Sequence, residues 1–178
     1  MTDKNEHTGI LIYAQITRDN YIHPVFFELL SKAKDLSQKL NNCKVNAVIF
    51  TTPNQINSFK ESFQNMGVDK VYYFENEVFK DYSTDYYSKL IVNLVGIIKP
   101  EILLIGATNQ GRDLAPRVSG ALNTGLTADC TELDINEKGQ LAATRPTFGG
   151  QLMATILCKN YPQMATVRPN VLKITQPE

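Results

Sequence analysis

Cysteine and histidine are scarce: three and two respectively in 178 residues. Cys43, Cys130 and Cys158 are odd in number, widely spaced and outside any CxxC pattern, so they indicate neither a disulfide framework nor a zinc site. His7 and His23 both lie in the N-terminal portion, away from any polar cluster, which leaves Cys-His and Ser-His-Asp chemistry without a base. An excess of one charge is also missing. Eighteen basic residues face eighteen acidic ones, and the pI is near 6.7, giving no electrostatic footprint for nucleic acid or anionic membrane. No apolar run is long enough to span a bilayer, and the leader MTDKNEHTG matches neither a secretory signal nor an arginine-rich transit peptide. The expectation is a cytoplasmic protein without membrane insertion, metal site or catalytic constellation.

What is present alternates. Ile10–Ala14, Val45–Phe50, Val68–Phe74 and Ile102–Ile105 are short apolar runs that read as buried strands. Between them lie helical stripes: Phe26, Leu29, Leu30, Ala33, Leu36 and Leu40; then Ile56, Phe59, Phe63 and Met66, closed by Gly67. A third stripe runs Tyr87, Leu90, Ile91, Leu94, Val95 and Ile98, capped at Ser83 or Thr84 and ended before Pro100; a fourth carries Leu114, Val118, Ala121 and Leu122. Such alternation predicts βαβ units and a Rossmann-like α/β three-layer sandwich with a mostly parallel sheet. After Thr124 the helical period stops. Ala128–Ile135, Leu141–Arg145, Met153–Cys158 and Met164–Val167 read as extended, with a tight turn at 136–139, predicting antiparallel strands that extend or flank the sheet. The whole of 1–178 reads as a single domain, with 1–8 and 173–178 expected to be flexible.

The segment Gly106–Cys130, GATNQGRDLAPRVSGALNTGLTADC, joins a strand end, a glycine-bearing turn and a helix. Asn109, Gln110, Gly111 and Arg112 fall where unpaired backbone N–H groups open the helix, so the Gly106–Asp113 turn is a candidate phosphate cradle. Its spacing is neither GxGxxG nor a P-loop, and the same glycines serve a tight strand-to-helix turn with Asp113 on the favourable side of the helix dipole. Both readings stand. Arg112, Arg117, Arg145 and Arg168 offer guanidinium forks suited to carboxylates, phosphates or salt bridges with Asp113 or Asp129. Arg145 and Arg168 each precede a proline, which predicts that each ends a strand. Asp129, Glu132 and Asp134 read as one solvated or partner-facing side of a strand, Cys130 as a small buried residue, and Phe148-Gly149-Gly150 as a loop able to approach a ligand or another chain.

Taken in order, GATNQGRDLAPRVSGAL, GLTADCTELDI, TRPTFGG and PQMATVRPNV resemble the N-terminal domain of the electron-transfer flavoprotein alpha subunit. The resemblance covers the chain and is strongest from Pro100 to Val171. It implies FAD in the complete subunit, held by a second domain, with no cofactor bound by this chain alone. It also implies a beta subunit partner, the FAD domain of the same subunit as a second, and dehydrogenases reached through the full complex. The sequence stops near the junction with that FAD domain and is expected to be one domain of a longer subunit. The implied function is a scaffold and partner-docking domain for electron transfer from dehydrogenases through FAD to an acceptor. The interface candidates are Arg112, Asp113, Arg117, Thr127, Asp129, Arg145, Phe148, Gly149, Gly150 and Arg168. The alternative is an autonomous adenine-nucleotide-binding module using the Gly106–Asp113 turn.

Overall fold

The computed structural model describes residues 6–175. Six strands form a parallel sheet: β1 (Ile10–Ala14), β2 (Val45–Thr51), β3 (Lys70–Glu75), β4 (Ile102–Gly106), β5 (Leu126–Cys130) and β9 (Gln163–Val167), in the order β3-β2-β1-β4-β9-β5. Their side chains alternate between two apolar cores. Ile10, Ile12, Ile102 and Leu104 face helices α1 (Val25–Lys39) and α2 (Ile56–Gln64), while Leu11, Tyr13, Leu103 and Ile105 face α3 (Thr84–Ile98) and α4 (Asn109–Ala121). Each fully buried Leu or Ile contributes roughly 1.5–3 kcal/mol, so these stripes fix the register strongly.

The expected Rossmann-like sandwich is borne out, and the C-terminal third refines it. The three antiparallel strands β6 (Glu132–Ile135), β7 (Leu141–Thr147) and β8 (Leu152–Leu157) form a separate sheet, ordered β6-β7-β8, that packs Leu133, Leu141 and Ala143 into the α1-side core. The last strand, β9, is parallel and inserts between β4 and β5. Ala128–Ile135, read as one strand, is two strands in different sheets, because Asp129 takes a left-handed φ of 60° and the β5–β9 register shifts there. Asp129 does not share a strand face with Glu132 and Asp134: it stands three positions before Glu132, which puts the two on opposite faces of any one strand, and the break places them in different sheets. Asp134 pairs with Lys39 of α1.

Arg145 does not end its strand. β7 runs through Pro146, which pairs with Met153 of β8. The carbonyl of Thr144 accepts the Thr131 N–H on the β6 side, and by alternation the missing N–H of Pro146 points to that same side, where the β6 pairing has already stopped. Arg168 does follow directly after its strand, β9. Ala121, placed on the apolar stripe of α4, is exposed; Ala115 and Gly111 are buried in its stead.

Helix α1 buries more than its sheet-facing stripe. Glu28 is 3% exposed, and its carboxylate accepts the backbone N–H groups of Asn170, Val171 and Leu172 at 2.9–3.1 Å. Ser31 Oγ accepts the Thr175 N–H at 3.1 Å. Of the ends expected to be flexible, residues 1–5 and 176–178 lie outside the described residues; next to them, Thr175 is tied to Ser31 and Glu6 pairs with Lys99.

Candidate functional site at the carboxyl edge of the sheet

Strand order reverses between β1 and β4, so the loops after these strands diverge and open a crevice at their carboxyl ends. A cleft of about 1300 Å³ lies there, walled by Tyr13, Gln15, Asn54, Gln55, Tyr82 and Asn109, among others. Only the side formed by the turn into α4, with Thr108, Asn109, Gln110 and Asp113, stood out in the sequence. The other walls are loops following β1, β2 and β3, whose residue types carry no signature. Only the general rule about carboxyl edges could have found them.

The turn into α4 is built by close packing. An added Cβ on Gly111 would stand 1.8 Å from the carbonyl oxygen of Gly106, so only glycine lets the helix start this tightly against β4. Thr108 caps the helix, its Oγ1 accepting the Gly111 N–H at 3.0 Å and donating to Gln15 Oε1 at 2.6 Å. Gln110 Nε2 donates to the Tyr13 hydroxyl at 2.7 Å, and burial holds that phenol well above its usual pKa, with Tyr87 and Tyr82 adding to the effect. These two side-chain bonds cross the crevice between β1 and β4. Asp113 accepts hydrogen bonds from Thr84 and from the Tyr82 hydroxyl, the latter at 2.8 Å; the Thr84 bond, followed by the Tyr82 bond, lowers its carboxyl pKa.

On its other flank α4 points elsewhere. Arg112 Nε donates to the Ala107 carbonyl at 3.0 Å and its Nη2 to Asp129 Oδ1 at 3.2 Å. Arg168 reaches the same carboxylate with Nη2 at 2.6 Å and Nε at 3.3 Å. The Arg168 hydrogen bond is the main cause of the lowered Asp129 pKa, with Arg112 and Arg145 contributing through their charges. The expected ion pairing with Asp129 is therefore found for Arg112 and Arg168. Arg117 instead pairs with Asp85 at 2.8 Å, on the exposed side of α3.

Of the remaining candidates, Thr127 is buried, with Oγ1 3.9 Å from Cys158 Sγ, so its side chain is not at the surface. Cys130 is fully buried and its thiol is pushed up to about 12 by desolvation, as expected of a packing residue. Phe148, Gly149 and Gly150 form the tip between β7 and β8, all with left-handed φ, and Phe148 is 79% exposed. Asn109, Gln110 and Asp113 thus form a cleft group and Arg112, Arg145 and Arg168 an arginine group around Asp129, joined by one turn of α4, while Arg117, Thr127 and the Phe148–Gly150 tip belong to neither.

Residues 10–178 match the electron transfer flavoprotein domain family. The chain is 46% identical over 173 residues to an electron transfer flavoprotein subunit alpha of Clostridium acetobutylicum, covering 96% of this chain and 50% of that protein. It is 46% identical over 168 residues to protein FixB of Bradyrhizobium diazoefficiens, covering 92% of this chain and 44% of that one. With subunit LctC of the lactate dehydrogenase (NAD(+),ferredoxin) of Acetobacterium woodii it shares 39% over 177 residues, covering 99% of this chain and 41% of that subunit. The chain spans about half the length of the curated relatives it matches. A family match across nearly all of the chain, on a fold whose carboxyl edge carries the GATNQGRD and VRPN segments together, means that this chain belongs to the electron transfer flavoprotein domain family.

Proposed function

We propose that this chain is the scaffold and partner-docking domain of an alpha-type electron-transfer flavoprotein subunit, a cytoplasmic complex that passes electrons from dehydrogenases through FAD to a redox acceptor. The observation that carries this reading is the match to alpha-type relatives over half their length. In the reading, FAD sits on the subunit's other domain, and the beta subunit and that domain rest on this one.

Two features support placing the flavin on the other domain. The crevice at the strand reversal is crossed by the Thr108–Gln15 and Gln110–Tyr13 bonds, and the Asp129 carboxylate already occupies the forks of Arg168 and Arg112. In this reading redox chemistry belongs to a cofactor held elsewhere, and this chain supplies position. The carboxyl edge suits that role, with Asn109 to Arg117, the Asp129 side chain and Arg145 to Gly150 as the docking surface; Thr127 and Cys130 are buried and offer it no side chain. Purified chain is expected to be colourless and to form a complex with the beta subunit of the same organism in size-exclusion chromatography. Absence of that complex, where the complete alpha subunit forms one, refutes the reading.

The cleft supports a second reading, an adenine-nucleotide module using the Gly106–Asp113 turn. Arg112 points away from the cleft toward Asp129, so the discriminating variant is Gln110→Ala. Saturable binding of AMP, ATP or FAD that is lost in this variant would favour the second reading; no binding at physiological concentrations removes it.

A further inference from the structure

The side chain of Arg145 donates no hydrogen bond to any described residue: the residue is half-buried, and its Nε is buried without an acceptor. Burying a guanidinium donor without an acceptor is costly, so the group stands ready for an anion that the isolated chain does not supply. Its surroundings say which kind. The Thr131 N–H donates to the Thr144 carbonyl and the Arg168 N–H to the Cys130 carbonyl, both at 2.9 Å, which brings Arg145, Arg168 and Asp129 to one corner of the carboxyl edge. Arg112 completes the set. Three guanidinium charges against the single Asp129 carboxylate leave two positive charges in excess.

The corner has an apolar wall. Cross-strand partners share a face, so Arg145 lies on the same side of the β7–β8 hairpin as Ala154, with the Thr147–Leu152 and Ala143–Ile156 pairs on either side. Leu152 is 58% exposed and Ile156 40%, and β8 is an edge strand with one side unpaired. A hydrated phosphate would gain nothing from such a wall. A protein segment carrying a carboxylate between apolar residues satisfies both halves.

Resting on the docking reading above, we propose that this corner seats an acidic side chain of the beta subunit, its carboxylate received by Arg145 and the apolar residues beside it packed on Leu152 and Ile156. The charge excess sets the sign of the partner group, and the edge strand sets its extended, apolar character.

The test measures the affinity of the beta subunit for the chain and for Arg145→Gln, Arg145→Lys and Leu152→Asp, with Lys60→Gln as a distant control and thermal melting to confirm folding. Arg145→Gln and Leu152→Asp should each weaken binding at least tenfold, Arg145→Lys less, and Lys60→Gln within twofold; the Arg145→Gln complex should also lose part of its salt sensitivity. If the unsubstituted chain binds and both variants bind within twofold of it, the assignment is wrong while the docking reading stands. If the unsubstituted chain does not bind, both fall. Binding of inorganic phosphate by the chain that Arg145→Gln abolishes would make the site a phosphate site and also overturn the assignment.

Discussion

Arg168 closes on Asp129 with two nitrogens, Nη2 at 2.6 Å and Nε at 3.3 Å, just where Asp129 leaves the regular β5 backbone with its φ of 60°. Because this contact lowers the Asp129 pKa, the carboxylate stabilises the fold above the unfolded pKa, about 3.9 for an aspartate. That contribution is lost as pH falls through the lower folded value. The difference in melting temperature between the chain and Asp129→Asn should therefore be constant near neutrality and shrink below about pH 4. It should be small throughout, since the pair is partly exposed and screened, and high salt should reduce it further. A difference that grows on acidification contradicts the pairing.

Glu28 holds the C-terminal segment by three backbone N–H groups from a site that excludes water. Glu28→Gln replaces one accepting oxygen with an NH₂ group that meets donors, at a cost of about 2–3 kcal/mol. Urea unfolding should show that loss, and hydrogen exchange at residues 170–172 should quicken in the folded state. Unchanged exchange there would show that the carboxylate does not secure the segment.

Two glycine-to-alanine changes should act in opposite directions. Gly111→Ala drives a methyl into the Gly106 carbonyl and should cost more than about 3 kcal/mol or abolish soluble expression. Gly96, exposed in α3 with nothing within 4 Å of an added Cβ, should gain roughly 0.5–1 kcal/mol as alanine. Similar melting temperatures for the two variants would contradict the close approach at Gly111.

Cys130, its thiol raised to about 12 by burial, carries almost no thiolate at pH 8. Iodoacetamide should leave it unmodified in the folded chain and label it fully in guanidinium, with mass spectrometry distinguishing it from half-buried Cys43. Native labelling of Cys130 would show that its pocket opens.

The parallel core was legible because burial writes itself as period. Leu11 and Tyr13 on one side of β1, and Ile10 and Ile12 on the other, make a continuous apolar run that a half-solvated strand would not tolerate. The antiparallel region was read less well, for reasons that are tertiary. Pro146 stays inside β7 only because β6 stops short, and Asp129 splits a run of strand-forming residues by a backbone angle that its residue type permits without requiring. Glu28 was invisible as an anchor, since its three donors lie more than 140 residues along the chain. In the candidate site, Arg112, Asp129 and Arg168 were recognised as charged groups able to pair. What set Arg145 apart, a buried donor without an acceptor, emerges only when β5, β7 and β9 meet.

One turn of α4 reaches in two directions: Gln110 to Tyr13 of β1 and Arg112 to Asp129 of β5. The helix start thus braces the rim of the sheet across three strands, including β4 from which it rises. A surface held this way has already given up most of its side-chain freedom before anything touches it, so a partner landing on it forfeits little further entropy. Loosening the Gln110 end should be felt at the arginine end as a faster dissociation of the partner docked there.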